Sequence, residues 1–207
     1  ISGLVEGETV SFITTGTRTE VGTSDNTYIL EWTESAKSAK KSNYTIKDTK
    51  GKLTVVPQSI DPESSHYLNA EVNDPENFKY DGKEHIFQPI VTDAKGNELV
   101  EGTDYTVSYD TENFTDVHTI TVTVTGIGNY EGTVKKKYKI TPRDVFITTP
   151  DASKVYDGDP LTAEGSISGL VEGETVSFIT TGTQTEVGIS DNTFTLNWTG
   201  SANESNY

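Results

Sequence analysis

The chain contains no cysteine and no methionine. Without thiols there is no disulfide, no thiolate metal site and no cysteine nucleophile, and without methionine the core lacks its adaptable, oxidisable filler. Positive charge is also scarce, with 16 Lys and Arg against 32 Asp and Glu, a formal charge of −16 and a pI near 4.5. A surface this acidic does not neutralise phosphates or dock on anionic lipid, which excludes nucleic acid as a partner. No run approaches the roughly 18 apolar residues of a membrane-spanning helix, so no membrane insertion is expected. No basic-then-apolar leader opens the chain, and any export signal or wall anchor is expected outside these 207 residues. Apolar side chains make up only 32% and the mean hydropathy is −0.51, which implies thin cores and small modules. The composition suits an exported, oxidant-exposed protein that gains rigidity from repetition, although the absence of cysteine also suits a cytosolic chain.

What the chain does have is a long internal repeat. Residues 1–33 return as residues 167–199 with five of the 33 positions changed: Arg18/Gln184, Thr23/Ile189, Tyr28/Phe194, Ile29/Thr195 and Glu31/Asn197. The copies stay in step to Ser42-Asn43-Tyr44 and Ser205-Asn206-Tyr207 once a three-residue Ser-Ala-Lys insertion near Lys37 is allowed. A repeat at this period defines the structural unit before any local motif is read. It predicts three segments: residues 1–57, the C-terminal part of a module; residues 58–142, a complete divergent module; and residues 143–207, the N-terminal part of another.

The local pattern is period two throughout. Val10 and Phe12 share one phase, as do Tyr28, Leu30 and Trp32, with Thr, Ser and Glu between them. Gly16, Gly22 and Ser24-Asp25-Asn26 read as turns, and Gly51 separates Tyr44-Ile46 from Leu53-Val55 as a short hairpin would. Pro57 and the polar residues 58–65, with a second Pro at Pro62, read as a linker. In the middle segment Tyr105, Val107 and Tyr109, then Ile120, Val122 and Val124, alternate with Thr and Ser. Val134, Tyr138 and Ile140 take one face of a further strand; Lys135, Lys137 and Lys139 take the other. Amphipathic helical spacing is absent, so the expected class is all-β, with turn signals about every ten residues pointing to tandem small immunoglobulin-like sandwich modules. A β-grasp fold is the alternative, weakened by the missing helix.

Shared punctuation joins the divergent middle segment to its neighbours. Tyr80-Asp81-Gly82 answers Tyr156-Asp157-Gly158; Leu99-Val100-Glu101-Gly102 answers Leu4-Val5-Glu6-Gly7 and Leu170-Val171-Glu172-Gly173; Asn129-Tyr130 answers Asn43-Tyr44 and Asn206-Tyr207. At these residues, and at Lys154-Val155, Ser168-Gly169, Gly51-Lys52-Leu53-Thr54-Val55 and Gly128 to Thr133, the chain resembles the MBG/YDG immunoglobulin-like repeats of bacterial surface proteins and adhesins. The resemblance covers essentially the whole chain. It implies an extracellular, cell-surface location and a repeated architecture, and it carries over no catalytic residue and no ligand.

Candidate chemistry is sparse. His66, His85 and His118 are scattered, without a second ligand at metal spacing, and read as surface or edge residues. Asp61, Glu63, Asp74, Glu76, Asn77 and Asp81 could hold calcium at a junction, yet they lack a calcium-loop pattern and read as a solvated acidic stretch. Lys136 falls on the inward phase of its strand, as an internal Lys–Asn isopeptide would need; its lysine neighbours favour a charged strand that discourages edge pairing. Asn43, Asn113, Asn197 and Asn203 match the glycosylation acceptor pattern incidentally. Trp32 and Trp198 fall in phase with Leu30 and Leu196 and read as packing rather than a sugar platform.

The expected function is therefore that of a structural stalk or adhesive repeat segment of a bacterial surface protein, with no catalytic site, cofactor or metal. Neighbouring repeats of the same chain are the expected partners, and short Pro-containing junctions are expected to space the modules into an extended array. The rivals are a module binding a host glycan or glycoprotein and an accessory module of a secreted carbohydrate-active enzyme. The partial outer segments are also expected to associate head to tail by strand exchange, with residues 45–57 or 145–166 of one chain completing another.

Overall fold

The computed structural model describes residues 1–32 and 38–207. The insertion expected near Lys37 lies outside the described residues. Among those residues the chain is all-β: its helical content is two single 3-10 turns, Lys41–Asn43 and Glu204–Asn206. It divides into two compact units. The first comprises Ile1–Val72, Val91–Thr106 and Thr125–Val134; the second comprises Asn73–Ile90, Val107–Val124 and Lys135–Tyr207.

In the first unit Ser11–Thr14 pairs antiparallel with Tyr28–Glu31, placing Phe12 opposite Leu30. Tyr28, Leu30 and Trp32 are half-buried while Ile29 and Glu31 are exposed, as the alternation predicts. The short hairpin expected across Gly51 does not form. Lys52–Val55 pairs instead with Gly22–Asp25, and residues 44–50 stay outside any strand. The reason is face matching: Leu53 and Val55 share the half-buried phase of Ser24 and Gly22, and the Thr23 and Thr54 hydroxyls meet at 3.1 Å on the other face. Residues 58–65 are not a free linker either. Gln58–Ser59 forms a parallel pair with Tyr130–Glu131, and Ser59 and Ile60 are fully buried with Ala70, Val91 and Tyr105. A polar stretch with one isoleucine looks solvated in sequence, yet its backbone finds a strand partner and that isoleucine fills a core.

A four-stranded sheet, most of whose residues fall in the second unit, runs in the order Phe78–Lys79, Thr133–Thr141, His118–Gly126, Tyr105–Tyr109. Its buried face carries Ile120, Val122, Val124, Tyr138 and Ile140. Two hairpin-like pairs follow, Phe146–Thr148 with Ser166–Ser168 and Ser177–Thr180 with Phe194–Asn197. The last pair repeats the register of the first unit, Phe178 standing opposite Leu196 as Phe12 stands opposite Leu30.

The Leu-Val-Glu-Gly turns are the same in all three segments. The N–H three residues beyond Val5, Val100 and Val171 donates to that valine carbonyl at 3.0, 3.1 and 3.0 Å, and the glycine between sits at φ +82°, +82° and +86°. A tight turn with positive φ at its third residue selects glycine there. The divergent middle segment thus keeps the turn chemistry of its neighbours while losing their strand sequence.

Candidate functional site

Each outer segment builds a corner on its Leu-Val-Glu-Gly turn. In the first unit the Val5 N–H donates to Tyr44 Oη at 3.0 Å, and that hydroxyl donates to the Glu8 carboxylate. In the second unit Val171 N–H donates to Tyr207 Oη at 2.9 Å, and the hydroxyl donates to Glu174. Trp32 packs on Tyr44 with centroids 5.9 Å apart, and Trp198 stacks on Tyr207 at 5.5 Å. The tryptophans thus pack as expected, against the ring of the Asn-Tyr motif. Ala39 and Ala202 are buried beside these corners, each donating its N–H to a threonine carbonyl, Thr9 or Thr175, at 3.1 Å. The 3-10 turns Lys41–Asn43 and Glu204–Asn206 then present an asparagine immediately before the tyrosine. The middle segment departs from this plan: the Val100 N–H donates to the Asp104 carboxylate at 2.8 Å.

The asparagine of the Asn-Tyr motif makes the same three contacts in both units. In the first, Asn129 Oδ1 accepts the Val21 N–H at 3.2 Å, its Nδ2 donates to Glu20 Oε2 at 2.6 Å, and its carbonyl accepts the Gln58 N–H at 3.0 Å. In the second, Asn206 Oδ1 accepts the Val117 N–H at 2.9 Å, its Nδ2 donates to Asp116 Oδ1 at 2.7 Å, and its carbonyl accepts the Arg143 N–H at 2.9 Å. Gln58 and Arg143 each follow the proline, Pro57 or Pro142, that ends the preceding segment. The receptor is therefore an acid-valine pair plus the first N–H after a strand-ending proline. A carboxamide fits because it accepts on one atom and donates on the other, whereas a carboxylate would repel the acid. Hydrogen bonding to Asn206 first, and to Asn113 next, holds the Asp116 carboxyl below the usual carboxylate range.

The second unit adds a phenol to this clasp. Tyr80, from Tyr-Asp-Gly, is buried and donates to the Glu174 oxygen that Tyr207 does not use. The two rings meet edge to face at 5.5 Å. Burial, and then the hydrogen bond to Glu174, push the Tyr80 hydroxyl up to about 12, and the same two causes raise Tyr207. Gly82 explains the glycine of the motif, since a Cβ there would stand 2.9 Å from Val171 Cγ1 and its φ is +77°. Arg143 closes the arrangement by donating Nε–H to the Gly169 carbonyl at 2.6 Å. Tyr-Asp-Gly, Leu-Val-Glu-Gly and Asn-Tyr, read from sequence as punctuation, are here the parts of one contact. The acid-valine receptors escaped that reading. Their only sequence signal is a Glu-Val or Asp-Val pair just ahead of a strand.

The other candidates lie apart from this site. His66 Nδ1 lies 2.6 Å from Glu131 Oε1 and is exposed, as expected. His85 and His118 are half-buried: His85 stacks on Phe78 at 4.4 Å with Nε2 2.8 Å from Asp81, and His118 Nδ1 donates to the Asp116 carbonyl at 2.7 Å. The His85 ring rests on Phe78 of a neighbouring strand, which a lone histidine in a polar run does not disclose. The acids considered for calcium are used singly. Asp61 caps the Glu63 N–H at 3.0 Å, Asp74 pairs with Lys136 at 2.5 Å, Asn77 accepts the Lys139 N–H at 2.8 Å, and Asp81 accepts the Lys83 N–H at 3.0 Å. Lys136 does lie on the inward phase, and its ammonium ends at an exposed aspartate. Asn113 donates to Asp116 at 2.8 Å, and the Asn203 side chain caps the final 3-10 turn. No family model, curated protein or solved structure matches the chain.

Proposed function

We propose that this chain is a segment of structural repeats from a bacterial cell-surface protein, resembling the MBG/YDG immunoglobulin-like type, in which small β-sandwich modules space or present a binding region outside the cell. The role is geometric rather than catalytic. The observation that carries the reading is the asparagine clasp, made twice with the same three contacts by segments whose strand sequences differ. A spacer needs a joint that survives divergence of the modules it joins, because a fixed joint turns repeat number into reach. Three directional hydrogen bonds, one to a carboxylate, restrict bending more than a flexible linker of the same length would. The acidic surface supports the same reading, since like charge keeps long arrays soluble and discourages lateral association.

The test is scattering from chains of increasing repeat number. Their maximum dimension is expected to grow by a constant increment per repeat. A compact profile whose size follows the cube root of mass would overturn the spacer. Specific retention on a glycan array by the middle segment would replace it with the adhesin reading.

A further inference from the structure

The outer face of the four-stranded sheet carries no apolar side chain. Lys135, Lys137 and Lys139 project from it at alternate positions of Thr133–Thr141, all exposed and all within the second unit. The neighbouring strand His118–Gly126 is joined to theirs through the Gly126 N–H, which donates to the Gly132 carbonyl at 2.9 Å, and through the Thr125 and Thr133 hydroxyls, 3.5 Å apart. Continued in two-residue steps, that register sets Thr123, Thr121 and Thr119 beside Lys135, Lys137 and Lys139. Among the described residues none of the three lysines has an ion pair, whereas Lys79 and Lys136 near them are paired with Asp144 and Asp74. Asp110, at the margin of the face, already accepts the Thr121 N–H at 2.8 Å. Edge protection does not account for the lysines. Phe78–Lys79 pairs with Ile140 and Thr141, Asn77 accepts the Lys139 N–H at 2.8 Å and Asp74 reaches Lys136 at 2.5 Å, so neighbours already occupy that side of the strand. In a chain with 32 acids and 16 bases, three like charges about 6.7 Å apart, twice the rise per residue, are left to repel one another beside threonines.

We propose that this face docks a linear acidic polysaccharide, which lies along the lysine row. Charge complementarity calls for an anion, and the rest of the face decides its kind. With no aromatic or aliphatic anchor, the face lacks the apolar centre around which a protein interface is built. Hydroxyls beside ammonium groups suit a polymer of hydroxyls and acid groups: Thr119, Thr121 and Thr123 exchange hydrogen bonds with sugar hydroxyls while each lysine meets a carboxylate or sulfate. Charge density separates this partner from nucleic acid. Duplex DNA carries one charge per ~1.7 Å of its axis, about four times the density of the row, and its surplus charge would meet a chain of formal charge −16. A polysaccharide with one acid group on each sugar, or on every second sugar, spaces its charges more widely. The inference goes beyond the spacer reading and does not use the clasps. Contact here is by charge with a class of polymer, whereas specific retention of a single glycan would be the property of an adhesin.

Affinity electrophoresis of the full chain in gels containing polygalacturonate, dextran sulfate or neutral dextran decides it. The wild-type chain is expected to be retarded by an acidic polymer and not by neutral dextran, and the stronger of the two acidic polymers identifies carboxylate or sulfate as the group bound. Retardation is expected to fade with salt, the logarithm of affinity falling against that of salt concentration with a slope no steeper than about three, one counterion per lysine. Lys135→Glu with Lys137→Glu and Lys139→Glu is expected to weaken binding by about tenfold or more, because three exposed ion contacts become three repulsions. A control makes the same change of charge elsewhere. Lys47→Glu with Lys50→Glu and Lys95→Glu, all at exposed positions, is expected to weaken binding by less than about threefold, since salt screens charges distant from the face. Circular dichroism checks that both triple variants keep the fold. No retardation by either acidic polymer would overturn the proposal, as would equal losses in the two triple variants, which would reduce the attraction to net charge. The spacer reading would survive either result, because scattering of longer arrays decides it separately.

Discussion

A carboxamide is the shortest side chain that accepts with one atom and donates with its neighbour, and the clasp uses both at once. The two clasps differ in burial, and their worth should differ with it. Asn206 is 1% exposed, so Asn206→Ala takes the partner from the Val117 N–H and from Asp116 Oδ1, leaving that carboxylate only its bond from Asn113. Unfolding by urea is expected to show a loss of roughly 2–4 kcal/mol. Asn129 is exposed, water replaces its carboxamide, and Asn129→Ala is expected to cost about 0.5–1.5 kcal/mol. The pH dependence follows from Asp116. Its folded pKa is lowered, chiefly by Asn206, so its contribution is present above the ordinary carboxylate range and is lost as pH falls through the folded value. Asn206→Ala should remove much of that acid sensitivity, which urea titrations at several acidic pH values would reveal.

At the scale of elements, alternation identified strands and said little about their partners. Period two assigned the faces of Tyr105–Tyr109, His118–Gly126 and Thr133–Thr141, because a half-buried strand must place apolar residues on one side. It paired Leu53-Val55 with its nearest neighbour in sequence, and the structure pairs it with Gly22–Asp25 instead. Nothing in a strand's own residues encodes which edge it joins; that depends on which faces are brought together. The misread linker has a direct test. Ile60 is 1% exposed, so Ile60→Ala is expected to destabilise by about 2–4 kcal/mol in chemical denaturation, where a solvated linker residue would have almost no effect.

For the whole molecule, the near-identical copies serve as an internal control. Residues 22–25 and 188–191 differ only at Thr23/Ile189, yet Gly22–Asp25 is a strand and residues 188–191 are not. The strand has Lys52–Val55 beside it, whereas among the described residues no strand pairs with residues 188–191. Hydrogen exchange is expected to protect alternate amides of Gly22–Asp25 and to leave those of residues 188–191 exchanging faster by orders of magnitude. Equal protection would show that the local sequence alone makes the strand.

Sequence alone determined what is local in this protein: the all-β class from its alternation, the glycine turns from their need for positive φ, and the repeat from self-similarity. The tertiary structure decided what is non-local: that residues 58–60 belong to a core, that Tyr80, Glu174 and Tyr207 meet, and that an acid-valine pair receives an asparagine. The physical reason is that a turn or a face is set by neighbours a few residues apart. A clasp depends on groups as distant as Glu20 from Asn129 or Asp116 from Asn206, and no local pattern marks such pairs.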